Sequence, residues 1–294
     1  MQPSRNVTEA QPLLPYLFAQ WPEVKRTKVK QWLKFGAVVV NGKPITRHDH
    51  ELCAGDAVSI QPVKAPPPTP DLPEGMSVLH EDADIVVIHK PVNLLTIATE
   101  KEQLRTAYNA MTLYVRDRAR TGMARIWVVH RLDRETSGVL LFAKTEEAKE
   151  MLQAEWQSFE KRYLALVEGK PPANQGTLKA HIDESQPHRV FTHPSGSAMT
   201  REAITHYRVL RQGMGRTLLE LTLETGRRHQ IRVQLAEAGC PIVGDEKYGA
   251  KSDPVRRVAL HAAKLKILHP RTGKEMIFES PLPKELLKLM PSEV

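Results

Sequence analysis

The sequence predicts an α+β protein of two domains, a small N-terminal one followed by a larger one built on a mixed, largely antiparallel sheet. The chain has 294 residues, which exceeds one typical domain. A proline-rich stretch, KAPPPTPDLPEG at 64–75, divides it unequally and is typical of an extended linker. After this linker, strand patterns outnumber helix patterns and do not alternate with them as in βαβ units. We therefore expect domains at 1–63 and 76–294.

Composition narrows the class of protein. The hydrophobic content of 41% supplies a sizeable core, and no run approaches about 18 uninterrupted apolar residues, so we expect no membrane span. The apolar segment near the N-terminus is interrupted by Pro15 and lacks a cleavage site, so we expect no signal peptide. Cys53 and Cys240 lack metal-type spacing, which fits a reducing cytoplasm. The net charge of +8 favours a polyanionic partner.

The first segment contains a basic helix pattern. Residues 22–45, PEVKRTKVKQWLKFGAVVVNGKPI, predict a helix that stops at Gly36, then a short strand at 37–40 and an Asn-Gly turn. The helix carries an apolar stripe of Val29, Trp32 and Leu33 opposite a basic face. On charge alone this is either a solvated face or a surface that docks RNA. The candidate docking residues are Arg26, Lys28, Lys30 and Lys34.

The residues after this helix carry a family resemblance. GAVVVNGKPITRHDHELCAGDAVSI, residues 36–60, resembles the small alpha-L RNA-binding domain of a ribosomal small-subunit protein and of several RNA-modifying enzymes. The marks are the basic helix, the Val-Asn-Gly turn and the Gly55-Asp56 pair before the last strand. The resemblance implies a module that docks structured RNA, with the basic helix facing phosphates.

The larger segment contains six strand patterns, at 84–90, 126–130, 138–144, 162–169, 203–210 and 217–224. In the last of these, Leu219, Leu221 and Leu223 share one face, as in a half-buried strand. A helix is predicted from Thr145, an N-cap followed by two glutamates. Another is predicted at 227–238, ended by a glycine.

The stretch VVHRLDRETSGVLLFAK, residues 128–144, places many charges between two apolar strand patterns. Loops on rigid scaffolds often carry catalytic groups, and three interpretations compete. In a salt-bridged turn, Asp133 would cap a local bend. A hydrolase triad would use His130, Asp133 and Ser137, but triad members usually come from distant positions and no Gly-x-Ser-x-Gly elbow is present. A metal site would use His130 and Asp133, although the chain has no HExxH motif or Asp-rich cluster.

HRLDRETSG within this stretch resembles the signature of the Rlu-type pseudouridine synthases of large-subunit rRNA and tRNA. The resemblance extends through DIVVIHKPVNLLT, KRYLALVEG, TLETGRRHQIRVQLAEAGCPIVGDEKYG, LHA at 260–262 and SPLP at 280–283. One departure is Asn93, which occupies a position that is usually glycine. Asparagine tolerates a left-handed backbone, so we expect the turn to survive.

The resemblance implies an isomerase that breaks the uracil–sugar bond, turns the base and rejoins it through carbon. It needs neither redox chemistry nor an external energy source, so no cofactor is implied. Asp133 is implied as the essential carboxylate, and as a nucleophile or as a base it must be ionised while shielded from water. Arg232 is implied as the cation that keeps it charged. Arg228 is expected one turn earlier on the same helix face.

A uridine inside folded RNA must be extruded before it can react. The resemblance implies that Arg131 takes the vacated space and that Tyr163 stacks on the uracil and serves proton transfer. A surface arginine and a core tyrosine are the structural alternatives, and we expect His130 and His229 to be structural. The sequence thus predicts a cytoplasmic, monomeric RNA pseudouridine synthase that acts on large-subunit rRNA. The alternatives are a tRNA pseudouridine synthase, a non-catalytic RNA-binding protein of the same fold and a metal-dependent RNA hydrolase.

Overall fold

A computed structural model describes residues 4–34, 36–61, 72–118, 124–186, 189–193 and 195–290. Contacts between residues divide the chain into two compact units, Met1–Thr69 and Pro70–Val294. Most of the expected linker, residues 64–71, lies outside the described residues. No helix in the described ranges is long and apolar enough to cross a membrane.

The N-terminal unit combines short strands with two helices. Its elements in chain order are β1 (Arg5–Asn6), β2 (Gln11–Pro12), α1 (Leu13–Gln20), α2 (Arg26–Lys34), β3 (Val38–Val40), β4 (Lys43–Pro44), β5 (Glu51–Leu52) and β6 (Ala57–Ile60). Four strands form an antiparallel sheet in the order β1-β6-β3-β4, and β2 pairs with β5. Helix α2 buries Val29 and Leu33 in the core of this unit, as its apolar stripe predicts.

The turn after this helix also follows the sequence pattern. Gly36 has a φ of 67°, and Asn41 and Gly42 have φ values of 50° and 79° in the turn that joins β3 to β4. Helix α1 is an element that the sequence did not predict, because Pro15 was taken as an interruption. Pro15 is the third residue of this helix, and proline is tolerated in the first turn because the N–H groups there have no intrahelical partner.

The C-terminal unit is a strand-rich α+β structure. Its strands are β7 (Ser77–Glu81), β8 (Ile85–Lys90), β9 (Trp127–Val128), β10 (Ser137–Ala143), β11 (Glu160–Glu168), β12 (Gln175–Asp183), β13 (Phe191–His193), β14 (Thr200–Gly213), β15 (Arg216–Leu223), β16 (Leu260–Leu268) and β17 (Glu275–Glu279). Its helices are α3 (Ala107–Arg118), α4 (Glu146–Ala154), α5 (Gln230–Glu237) and α6 (Lys284–Leu287).

Within the described residues these strands form one eleven-stranded sheet. The main path is β13-β12-β14-β15-β11-β16-β10-β8-β7, with β9 beside β10 and β17 beside β16. The pairing of β10 with β16 is parallel, whereas the other strand pairs described are antiparallel. The predicted mixed, largely antiparallel sheet is therefore confirmed.

The core lies on both faces of this sheet, and its most buried strands lead to one loop. Strand β10 is buried along its whole length. Leu140 and Phe142 pack towards Met111 of α3 on one face, and Leu141 packs towards Leu152 of α4 on the other. The loop between β9 and β10 is consequently anchored in the rigid centre of the unit.

Two predicted helix starts have different outcomes. Thr145 caps α4 as predicted, because its Oγ1 accepts a hydrogen bond from the N–H of Ala148 at 3.1 Å. The helix predicted at 227–238 begins only at Gln230, which corrects the prediction. His229 precedes it with a φ of 53°, a left-handed conformation that cannot continue a right-handed helix backwards.

Candidate active site

A cavity of about 250 Å³ opens where the loop before β10, strand β11 and the loop before α5 meet. Its floor is apolar, with Leu132, Leu223 and Leu260, and its walls carry most of the polar side chains that the sequence singled out. These polar lining residues are Arg131, Asp133, Tyr163, Arg228 and Arg232. The fold therefore brings together residues that are up to about a hundred positions apart in the chain.

The loop that carries Asp133 is pinned on both sides of this residue. Thr96 Oγ1 donates to the carbonyl oxygen of Leu132 at 2.7 Å and accepts from the N–H of Leu132 at 3.1 Å. On the other side, the N–H of Thr136 donates to the carbonyl oxygen of Asp133 at 3.2 Å. The side chain of Asp133 is 15% exposed, so it reaches the cavity while most of its surface is shielded from water.

A buried lysine and an asparagine support the same loop from the end of β8. Lys90 Nζ donates to the carbonyl oxygens of Leu94 at 2.7 Å and of Arg134 at 3.4 Å. The N–H of Asn93 donates to the carbonyl oxygen of Arg134 at 2.8 Å, and Asn93 has a φ of 63°. Asn93 thus adopts the left-handed conformation that a glycine would give, and the turn survives the substitution.

Arg232 lies at the centre of a group of carboxylates. Its Nε and Nη2 donate to the two carboxylate oxygens of Asp245 at 2.7 and 2.8 Å. Its Nη1 donates to Glu135 Oε2 at 3.0 Å and lies 3.8 Å from Asp133 Oδ2. The Arg232 side chain is only 2% exposed. The predicted pair of Asp133 and Arg232 is therefore present, as a looser contact than the one Arg232 makes with Asp245.

Opposing effects set the charge of these groups. Burial raises the pKa of Asp133, and the positive charge of Arg232 opposes that rise. Burial lowers the pKa of Arg232, but the hydrogen bond and the negative charge of Asp245 outweigh it and hold that pKa above its usual range. Burial also lowers the pKa of Lys90 to about 7, although the charge of Asp133 acts in the opposite direction. Arg232 is accordingly the permanent cation beside Asp133.

Tyr163 forms the wall of the cavity next to Asp133. It lies on β11, paired with Ala262 on one side and with Leu221 on the other. Burial raises the pKa of its phenol above the usual range, and the negative charge of Asp133 raises it further. The phenol is therefore protonated at neutral pH, which leaves it with a proton to donate next to the carboxylate.

Comparison with known proteins decides the family. The model of the RNA pseudouridylate synthase family matches residues 84–237, more than half of the chain. A Bacillus subtilis (strain 168) protein named uncharacterized RNA pseudouridine synthase YlyB is 36% identical over 274 residues, which cover 90% of this chain and 88% of the relative. This chain belongs to the RNA pseudouridylate synthase family. It is an isomerase that converts uridine in RNA to pseudouridine, and the resemblance of HRLDRETSG to this family is confirmed.

Further relatives agree with this assignment. Ribosomal large subunit pseudouridine synthase D of Escherichia coli (strain K12) is 32% identical over 296 residues, which cover 93% of this chain and 88% of the relative. Among solved structures, human RNA pseudouridylate synthase domain containing 1 has a TM-score of 0.56 at 25% identity, covering 71% of this chain and 84% of its own. Human RNA pseudouridylate synthase domain containing 4 has a TM-score of 0.60 at 24% identity, covering 71% of this chain and 90% of its own, and supports the fold.

Two arginines lie at the rim of the synthase cavity. Arg131 is exposed, two residues before Asp133. Arg228 lies in the loop before α5 and not on the helix, so the predicted shared helix face with Arg232 is wrong. Its backbone N–H donates to Glu184 Oε1 at 2.6 Å, and its Nη2 donates to the carbonyl oxygen of Gln186. Arg228 therefore links the rim of the cavity to the segment that follows β12.

The hydrolase triad interpretation is wrong. His130 Nε2 accepts a hydrogen bond from the N–H of Leu141 at 3.0 Å, and its ring stacks on Trp156 with centroids 4.3 Å apart. Ser137 Oγ lies 2.8 Å from Nδ1 of His261 instead. Burial lowers the pKa of His130 to about 3, so it is a neutral, structural acceptor.

His229 has a structural environment as well. Its Nδ1 lies 2.8 Å from the hydroxyl oxygen of Tyr248, and the two rings meet edge to face. Burial lowers the pKa of His229 to about 3, and the nearby positive charge of Arg232 acts in the same direction. His229 therefore stays neutral while its left-handed backbone sets the start of α5.

A cluster that the sequence did not indicate lies at the far end of β8. Asp82, Asp84 and His269 place potential ligand atoms within 4.8 Å of one another. Asp84 is already bonded by Arg271, whose Nε and Nη2 donate to its two oxygens at 2.8 and 2.5 Å. Asp82 accepts from two backbone N–H groups and lies 2.7 Å from His80. The cluster is a salt-bridge network that closes the β7–β8 turn.

Three of the four candidate docking residues lie on the exposed side of α2. Arg26, Lys28 and Lys30 are exposed, and the guanidinium of Arg26 lies 5.1 Å from the ring centroid of Phe18. The side chain of Lys34 lies outside the described residues. The three described cations therefore form a basic strip on one helix of the N-terminal unit.

Proposed function

We propose that this synthase modifies uridines in large-subunit ribosomal RNA. Relatives named ribosomal large subunit pseudouridine synthase D cover 93% of this chain at 32–33% identity. The basic strip of the N-terminal unit supports a large, structured RNA, since cationic side chains on an exposed helix bind phosphates without reading sequence. A tRNA substrate is the second candidate, and the only support for it is that the family acts on RNA.

The proposed chemistry rests on one observation, the shielded Asp133 carboxylate between a permanent cation and a protonated phenol. We assign the essential carboxylate to Asp133, which attacks the sugar or removes one of its protons. Arg232, with Nη1 at 3.8 Å, keeps that carboxylate ionised despite its burial. Tyr163 supports the displaced base with its ring and supplies or accepts a proton through its hydroxyl.

Arg131 and Arg228, at the rim of the cavity, are assigned to the step in which the uridine leaves the RNA and enters the cavity. Extruding a uridine from a folded RNA costs a few kcal/mol, and a side chain that fills the gap offsets part of that cost. Arg131 is exposed and next to the cavity, so we assign this role to it. We assign Arg228 to a backbone phosphate near the flipped nucleotide.

Asp133→Asn tests the assignment of the carboxylate. The substitution keeps the shape of the side chain but removes its charge, so we expect at least about a 10²–10⁴-fold loss of single-turnover rate. RNA binding and thermal stability should stay close to wild type, because the lost charge is buried and already disfavoured by its surroundings. A rate within tenfold of wild type would rule out the role of Asp133.

Mapping pseudouridines in a deletion strain and in wild type tests the RNA target. Loss of one or more sites in large-subunit rRNA is expected. Loss confined to tRNA would replace the ribosomal assignment with the second candidate. Unchanged maps, together with an inactive purified enzyme, would favour a non-catalytic RNA-binding protein of this fold.

We also propose that residues 1–63 form an alpha-L type docking domain, joined by a linker at 64–75 to a catalytic domain at 76–294. Replacing Arg26, Lys28 and Lys30 by glutamine should weaken binding to long folded RNA. The slope of log affinity against log salt should fall by up to about 0.9 per lost phosphate contact, while the rate at saturating RNA stays constant. Three exposed lysines of the other unit, Lys170, Lys274 and Lys288, provide the matched control.

Equal salt slopes for both triple variants would show that α2 presents only a solvated face. Removing residues 1–64 extends the test to the whole unit, with circular dichroism and thermal unfolding to show that the remaining chain is folded. The monomeric state and the cytoplasmic location stay predictions from the sequence, and sedimentation of the purified enzyme and cell fractionation test them.

A further inference from the structure

Arg232 contacts three carboxylates, and the one that holds it most firmly lies outside the HRLDRETSG motif. We propose that Asp245 is a positioning residue of the synthase reaction, because it fixes the Arg232 guanidinium in the one orientation that directs Nη1 towards Asp133. This inference rests on the proposed role of Arg232.

The contact between Asp245 and Arg232 has the geometry of a clamp. The two carboxylate oxygens of Asp245 receive Nε at 2.7 Å and Nη2 at 2.8 Å, so the guanidinium is held along one edge. Both side chains are buried, at 1% exposed for Asp245 and 2% for Arg232. The opposite edge carries Nη1, and it is this nitrogen that faces Asp133 and Glu135. A planar group held by two parallel hydrogen bonds cannot turn without breaking both.

Asp245 is itself rigidly placed by its backbone. Its N–H donates to the carbonyl oxygen of Ile242 at 2.9 Å, and its carbonyl oxygen accepts from Tyr248 at 3.0 Å and from Ala250 at 3.1 Å. Gly244 before it has a φ of 80°, and a Cβ there would lie 2.0 Å from the carbonyl oxygen of Arg257. The turn is therefore closely packed against the neighbouring chain and can serve as a fixed support.

Tyr248 completes this support. The guanidinium carbon of Arg232 lies 5.3 Å from the centroid of the Tyr248 ring, within the range of a cation–π contact. Asp245 thus holds the edge of the guanidinium while Tyr248 packs against it. Around metal sites, outer partners of this kind orient the ligands and their loss typically costs 10–100-fold in affinity or activity, and we expect a loss of similar size here.

Loss of the clamp should change the rate of the reaction more than the affinity for RNA. Without Asp245, the guanidinium is left with Glu135 and Asp133, two acceptors on the same edge at 3.0 and 3.8 Å. It is then free to rotate, and a displacement of about 1 Å at a reacting group can cost on the order of 100-fold in rate. Asp245 is buried behind Arg232, so its loss should not change the affinity for RNA that binds at the rim.

The test compares Asp245→Asn with a control in the same unit of the chain. Asp84→Asn breaks an equally bidentate contact between a buried aspartate and an arginine, Arg271, at the far end of β8 from the cavity. For Asp245→Asn in the full chain we expect a single-turnover rate about 10–100-fold below wild type, with the Kd for RNA within about threefold. For Asp84→Asn we expect a lower Tm and a rate within about twofold of wild type. Equal rates for the two variants would overturn the inference.

A double-mutant cycle separates positioning from general damage to the fold. If Asp245 acts through Arg232, the variant that combines Asp245→Asn with Arg232→Gln should be no slower than Arg232→Gln alone. This double variant also replaces the buried ion pair by two neutral amides, so its rate can be measured even if the single Asp245 variant unfolds. Independent, multiplying losses would overturn the positioning role. Full activity of Arg232→Gln would instead refute the proposed role of Arg232, and a slow Arg232→Gln beside a fast Asp245→Asn would refute only the present inference.

Discussion

Gly138→Ala tests whether the pairing of two strands sets the geometry of the active site. Gly138 is the second residue of β10, directly after the loop that carries Asp133, and it pairs with Ala262 of β16. Its φ is 121°, and an added Cβ would lie 2.1 Å from the carbonyl oxygen of Ala262 and 2.7 Å from its backbone nitrogen and carbonyl carbon. These neighbours are backbone atoms, which cannot turn away as a side chain would.

The structure gives the size of the effect. An ordinary contact begins at 3.4 Å, so the two strands must separate by more than 1 Å. That separation disrupts the pairing at Gly138 and at Ser137, which we expect to cost about 1–3 kcal/mol. The unfavourable φ adds roughly 1–3 kcal/mol, and the sum corresponds to a fall in Tm of roughly 5–20 °C. Because Ala262 also pairs with Tyr163, the same shift moves Tyr163 relative to Asp133 and should slow the reaction by up to about 100-fold.

The assay combines thermal unfolding with single-turnover pseudouridine formation well below the lowered Tm. Gly239→Ala is the matched control, since Gly239 has a φ of 75° but no atom within 4 Å of an added Cβ. It should show the cost of the backbone conformation alone, about 1–3 kcal/mol, with an unchanged rate. A Gly138→Ala variant as stable and as fast as this control would refute the role of the β10–β16 contact.

Three further predictions follow from the site. Glu135→Gln should move the acid limb of the pH–rate profile to lower pH. Burial is the main cause that raises the pKa of Asp133, and the negative charge of Glu135 raises it further. Activity is lost as pH falls through that pKa, so removing the charge of Glu135 should lower the pH at which activity is lost. A shift of the acid limb to higher pH would contradict this. Asn93→Gly should match wild type in Tm to within a few degrees, whereas Asn93→Val should lose roughly 1–3 kcal/mol at a φ of 63°; equal stability of both would contradict this. EDTA should leave the rate on prefolded RNA unchanged, and recovery only on adding a divalent ion would contradict a metal-free reaction.

Local patterns were sufficient to predict much of the C-terminal unit. Alternating and β-branched runs located six of the eleven strands of the described sheet to within a few residues, because such runs show the side-chain period and the burial of a strand directly. The other five strands, β7, β12, β13, β16 and β17, were not predicted. Thr145 was recognisable as a cap because its hydrogen bond spans only three residues. Asn93 was predictable for the same reason, since a left-handed turn depends on the residue that occupies it.

Contacts between distant positions were not predictable from these patterns. Nothing near Ser137 indicates that it pairs with His261, 124 residues later, instead of with His130. The placement of Arg228 on the helix was wrong because the whole 227–238 segment has the composition of a helix. The left-handed backbone of His229, which delays the start of the helix, is set by contacts outside this segment. Asp245 lies in the GDEKYG part of the resembling motif, but only the fold reveals that its partner is Arg232.

The charges between the apolar runs of 128–144 have different fates in the fold. His130 is neutral and holds the start of the loop, while Arg131 stays exposed at the rim. Asp133 keeps a loose contact of 3.8 Å with Arg232, because Asp245 and Glu135 take the shorter hydrogen bonds. A tight bidentate bond to Arg232 would keep Asp133 ionised but would also occupy its oxygens. In the proposed mechanism, the charge of Arg232 opposes the rise in the pKa of Asp133 that burial causes, and the longer contact leaves a carboxylate oxygen for the sugar, which both a nucleophile and a base require.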